Sequence, residues 1–67
     1  MDFAANIRKY REAAGLSQEE AARKIGVTLG AWGKWERGET DPPVSRLAGI
    51  AEVLDIDPVD LVAPASA

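Results

Sequence analysis

Two helix-start signals stand about eleven residues apart in the run SQEEAARKIGVTLGAWGKWERG, residues 17 to 38, with a glycine between them where the first helix has to stop. That spacing leaves room for two turns of helix, a tight turn and a second short helix. Ser17 can accept a hydrogen bond from a free backbone N–H, and Glu20, three positions on, can reach back to close a capping box. Ala21, Ala22 and Ile25 then form one apolar face. Gly26 supplies the left-handed backbone that commonly ends a helix, Val27 is an apolar plug in the turn, and the Thr28 hydroxyl can cap the next helix. On that second helix Trp32 and Trp35 lie three apart and share a face, while Leu29, Gly30, Gly33 and Lys34 point largely away from it.

At 67 residues the chain makes one domain, in which burial only marginally exceeds chain entropy, so a compact helical core is required. It has no cysteine and no histidine, which removes disulfides and a cysteine-histidine zinc site, and no cofactor is expected. Neither a long apolar run nor a charged-then-apolar leader is present, so no membrane partner is expected and a cytoplasmic location is. The net charge of −3, taken as one number, argues against a phosphate-rich partner. Its distribution is uneven. All eight basic residues lie in residues 1 to 46, against seven acidic ones, whereas Glu52, Asp55, Asp57 and Asp60 follow with no base. Either the N-terminal part faces a polyanion and the far side is acidic, or these are ordinary solvated helix charges.

The remaining elements follow from periodicity and punctuation. Asp2 can cap a first helix carrying Phe3, Ile7 and Tyr10 at three- and four-residue steps, ending near Gly15, with Arg8, Lys9 and Arg11 as its basic surface. Gly38 closes the third helix ahead of a loop, residues 39 to 43, that cannot stay helical through Pro42 and Pro43. A fourth helix starts near Val44 with Leu47, Ile50, Ala51 and Leu54 inward and Gly49 as its weak interior position. Asp57, Pro58 and Asp60 suit a last helix start, anchored by Leu61 and Val62. The domain spans residues 1 to 62, and residues 63 to 67 form a flexible tail. The expected core is Ile7, Tyr10, Leu16, Ala22, Ile25, Val27, Trp32, Trp35, Leu47, Ile50, Leu54, Ile56 and Leu61.

Ser17-Gln18-Glu19-Glu20, Ala22, Gly26-Val27-Thr28 and Lys34-Trp35-Glu36-Arg37-Gly38 together resemble the Cro and phage-repressor (C1) type of helix-turn-helix DNA-binding domain. The likeness extends upstream through Ile7, Arg11 and Gly15-Leu16 and downstream through Pro43, Leu47, Ile50-Ala51, Leu54 and Leu61, covering roughly residues 3 to 62. It implies an all-α, compact five-helix, lambda-repressor-like domain whose third helix, about residues 28 to 37, lies in the major groove. It further implies sequence-specific binding of double-stranded DNA, transcriptional regulation as a homodimer on a palindromic site, and a bacterial or phage source.

Carried onto this chain, the resemblance makes Thr28, Leu29, Gly30, Gly33 and Lys34 the base-reading positions and pairs Arg11 with Glu36 in a structural ion pair. Only Lys34 is a strong donor; Leu29 could pack on a thymine methyl, and Thr28 could touch a base or merely cap. Gly30 and Gly33 each cost a helix about 1 kcal/mol relative to alanine, and either let the backbone approach the groove or accommodate a tryptophan or protein partner. Ser17, Gln18, Arg37 and Arg46 are candidates for the DNA backbone, with Glu39 and Asp41 opposing the two arginines. Arg8, Lys9, Arg23 and Lys24 read more readily as solvated charges. The competing function is a protein-interaction module, of antitoxin or phage-regulator type, docking through the tryptophan and glycine surface. An enzyme is not expected, since the chain offers no nucleophile–base pair.

Overall fold

Local capping explains where most of the helix boundaries fall in the computed structural model, which describes residues 2 to 64. Those residues form α1 (Phe3–Ala13), α2 (Gln18–Ile25), α3 (Leu29–Glu36), α4 (Val44–Leu54) and α5 (Pro58–Val62), with no strand among them. At the start of α2 the Ser17 hydroxyl accepts the Glu20 N–H at 3.0 Å, and the Ser17 N–H donates to Glu20 Oε1 at 2.9 Å, so the capping box is complete. The Ser17 backbone N–H, and after it the Ser17 hydroxyl, hold the Glu20 carboxyl below the usual carboxylate range. Gly26 ends α2 with φ at 85°, a left-handed conformation that a side chain would strain. Thr28 then caps α3 by accepting the Ala31 N–H at 3.1 Å. Asp57 caps α5 in the same manner, and Asp60 closes a second capping box.

The first helix departs from expectation, because the Asp2 side chain does not cap it. Asp2 has φ −101° and ψ 48°, away from the extended backbone that aims an N-cap side chain at the first turn, and only its carbonyl enters the helix by accepting the Asn6 N–H at 3.0 Å.

The core consists of Phe3, Ile7, Ala21, Ala22, Trp32, Trp35, Ile50, Ala51, Leu54 and Leu61. Tyr10, Leu16, Ile25, Val27, Leu47 and Ile56, expected inside, are only half-buried against it. Most of them sit in turns or at helix ends, and a domain this small cannot cover such positions on every side. Helix α3 packs on α1 and α2, α4 packs on α2 and α5, and α5 returns to α1. Gly49 allows the close approach of α4 to α2, since a Cβ there would lie 2.9 Å from Ile25 Cδ1. The ends of the domain are joined by Asn6. Its buried Nδ2 donates to the carbonyls of Leu61 at 2.9 Å and Ala63 at 2.7 Å, satisfying backbone groups at the end of α5. Of the expected tail, residues 65 to 67 lie outside the described residues.

Candidate nucleic-acid interface

The inner side of α3 is a wall of aromatic surface around one carboxylate. Trp32 is 0% exposed and Trp35 6%, with ring centroids 5.7 Å apart and planes tilted by 56°. Beside them the Glu36 side chain is also 0% exposed. Its Oε2 accepts from Arg11 Nε and from Trp32 Nε1, both at 2.5 Å; its Oε1 accepts from Gln18 Nε2 at 2.9 Å and Arg11 Nη2 at 3.1 Å. Arg8 Nε lies 3.5 Å from the same Oε1. Burial alone would push this carboxyl up; the hydrogen bonds from Arg11, Gln18 and Trp32 outweigh it and hold the group below the usual carboxylate range. Arg11 is correspondingly raised, chiefly by its bond to Glu36, and it also donates to the Leu16 carbonyl at 2.8 Å.

Glu36 therefore joins α1, α2 and α3 at one point. Neither the Trp32 indole nor Gln18 was assigned to it from sequence. The Trp32 contact was within reach of the sequence, because residues four apart on a helix are neighbours. The Gln18 contact was not, because it depends on how α2 leans on α3.

Away from the core, Leu29 is 49% exposed, and Gly30, Lys34 and Arg37 are exposed as well. Positions 30, 33, 34 and 37 follow the spacing that aligns side chains on one helix face, so they form a single outward row. Gly33 belongs to this row yet is buried, and the Arg37 side chain folds back beside it. Arg37 Nε in turn donates to Glu39 Oε2. Arg46 Nη1 donates to the Ile25 carbonyl at 3.0 Å and so caps the C-terminal end of α2. Of the residues read as DNA-backbone contacts, Ser17 is engaged in its cap, Gln18 in the Glu36 cluster, Arg37 with Glu39 and Arg46 with Ile25. Among the described residues no group of acidic side chains could hold a metal ion, and no helix is long and apolar enough to cross a membrane.

Known proteins share this fold. A family model described as helix-turn-helix matches residues 7 to 61. The HTH-type transcriptional regulator YqaE of Bacillus subtilis is 33% identical over 54 residues, which cover 81% of this chain and 47% of that protein. The chain thus spans about half the length of the curated relatives it matches first. Among solved structures, the restriction-modification controller protein C.AhdI from Aeromonas hydrophila superposes with a TM-score of 0.83 at 36% identity, over 88% of this chain and 89% of that one. The DNA-binding domain of the P22 C2 repressor gives a TM-score of 0.85 at 28% identity, over 90% and 79%. The sequence and the five-helix architecture agree, and the chain belongs to the helix-turn-helix family of Cro and phage-repressor type.

Proposed function

We propose that α3 enters the major groove of duplex DNA with its outward row on the base edges, and that the domain regulates transcription by occupying its site. One observation carries this reading: both indole rings turn inward, leaving Gly30 and Lys34 on an open face opposite the helices that support α3. The Lys34 ammonium can donate to guanine O6 and N7, and the half-exposed Leu29 can pack on a thymine methyl. Thr28 gives its cap a lone pair and keeps its O–H for a base or phosphate. Three of the backbone candidates retain donors in the same way. Gln18 keeps one amide hydrogen, and Arg37 and Arg46 their remaining N–H groups, all supporting contacts with DNA at the edges of the groove, whereas the Ser17 hydroxyl is turned to Glu20.

The working form would be a homodimer on a palindromic site with half-sites about one helical turn apart. The exposed Val59 on α5 and Val44 on α4 support an interface there, while Val62 packs partly against the domain's own core. A protein-docking surface built on the tryptophans is disfavoured by their burial. Selection of binding sites from random duplex DNA, repeated with Lys34→Ala, tests the reading. A palindromic sequence should be enriched, with preference at one base pair per half-site lost in the variant. If one protomer neutralises about four phosphates, the log–log salt slope per protomer is about −3.6. A flat slope, or no enriched sequence at low salt, would refute the mechanism.

A further inference from the structure

We propose that Arg37 is a base-reading residue that recognises a guanine, with its guanidinium laid across the bare backbone at Gly33 and braced by Glu39. This rests on α3 entering the major groove, and it moves Arg37 from a backbone contact to a determinant of specificity.

Three features of the structure support the assignment. The first is position. Arg37 lies four residues after Gly33 and seven after Gly30, on the same outward row as Lys34. Long side chains on a helix lean toward its N-terminus and over the residue one turn before. Here that lean carries the cation from the last turn of α3 back toward the turns that meet base edges.

The second is the room made for it. An ideal Cβ on Gly33 would lie 2.9 Å from Arg37 Nη1, 3.7 Å from Cζ and 3.9 Å from Nη2. The guanidinium therefore occupies space that any other residue at position 33 would claim. The three atoms nearest to that position all belong to Arg37, so the bare backbone at Gly33 is matched to this side chain.

The third is the brace. Glu39 accepts from Nε, which leaves the Nη1 and Nη2 edge of the fork unengaged by the carboxylate. Both side chains are more than half exposed, so the pair is open to an incoming base. A carboxylate behind one edge fixes the plane of the guanidinium. Two parallel N–H groups in a fixed plane match O6 and N7 of guanine, a geometry a lysine cannot reproduce.

The test measures binding to the selected site and to versions of it with each base pair replaced in turn. Arg37→Ala should lower affinity for the selected site by about 5- to 150-fold while flattening the preference at one G·C pair per half-site. Arg37→Lys should not restore that preference. Gly33→Ala should reproduce the loss in a domain at least as resistant to urea, because alanine is the better helix former. It should add little in the Arg37→Ala background. Glu39→Gln should weaken guanine preference even though it removes negative charge beside DNA.

Two results would overturn the assignment. In one, Arg37→Ala weakens all duplexes equally and reduces the salt slope by about 1, the behaviour of a phosphate contact. In the other, Gly33→Ala costs as much without Arg37 as with it, which makes the glycine a device for close approach. A wild-type domain that prefers no sequence refutes the groove reading itself, and this assignment with it.

Discussion

Replacing Glu36 by glutamine preserves the side-chain shape, removes a buried charge and turns one acceptor oxygen into a donor. Each carboxylate oxygen accepts two hydrogen bonds, Oε2 from Arg11 Nε and Trp32 Nε1 and Oε1 from Gln18 Nε2 and Arg11 Nη2. Whichever oxygen becomes the amide nitrogen, two donors then face a donor. The Arg11 side chain, only 12% exposed, keeps its bond to the Leu16 carbonyl but loses its counter-ion. Breaking a buried pair by removing one partner costs about 3–5 kcal/mol. A domain of this size sits near the lower end of the usual stability range, on the order of 5 kcal/mol, so the variant should be close to balanced between folded and unfolded at 25 °C. For a domain of about this length the same loss lowers Tm by about 12–40 °C.

The pH dependence supplies an independent check. The folded pKa of Glu36 is depressed, so its contribution is fully present above its unfolded value of about 4.3 and is lost as pH falls through the folded pKa. Glu36→Gln has nothing to titrate at this site. The stability gap between wild type and variant should therefore be largest at neutral pH and narrow on acidification. Urea titrations followed by circular dichroism at neutral pH and at about pH 3 would measure it, with the m-value unchanged. A loss under about 1 kcal/mol at neutral pH, or a gap that does not change with pH, would mean that the carboxylate behaves as a surface pair and that the argument from burial is wrong.

Further expectations concern single positions. Asn6→Ala leaves the Leu61 and Ala63 carbonyls without their donor and should cost about 1–3 kcal/mol, read by urea titration, with amide exchange in α5 accelerating first; unchanged exchange there would exclude the clasp. Because both indoles are buried, tryptophan emission should lie to the blue of free indole and stay there when DNA is added, and native emission at the solvated position would contradict the fold. A Cβ on Gly30 meets only Thr28 Oγ1 at 3.9 Å, so Gly30→Ala should add about 1 kcal/mol to stability while weakening binding to the selected site. Full binding by that variant would show that the bare backbone at Gly30 is not needed for approach to the groove.

Local chemistry alone determined much of this protein. Ser17 with Glu20, Gly26, Thr28, and Asp57 with Asp60 mark helix ends because a cap is completed within three residues of chain, and the alternation of indoles with glycines and Lys34 on α3 separates an inner from an outer face by spacing alone. Which apolar residues are fully covered was less legible. Leu16, Val27 and Ile56 are apolar and face the core, yet their cover depends on neighbours that come from other parts of the chain. Asp2 has the right side chain for a cap, but its backbone does not adopt the conformation that would aim it. The polar contacts were decided by tertiary structure. Asn6 reaches carbonyls more than fifty residues away, Arg46 caps a helix 21 positions earlier, and Gln18 turns inward to Glu36. A sequence gives the inventory of donors and acceptors on such long or buried side chains, whereas the partner each one takes is set by how the helices lean on one another, because a hydrogen bond acts only over about 3 Å.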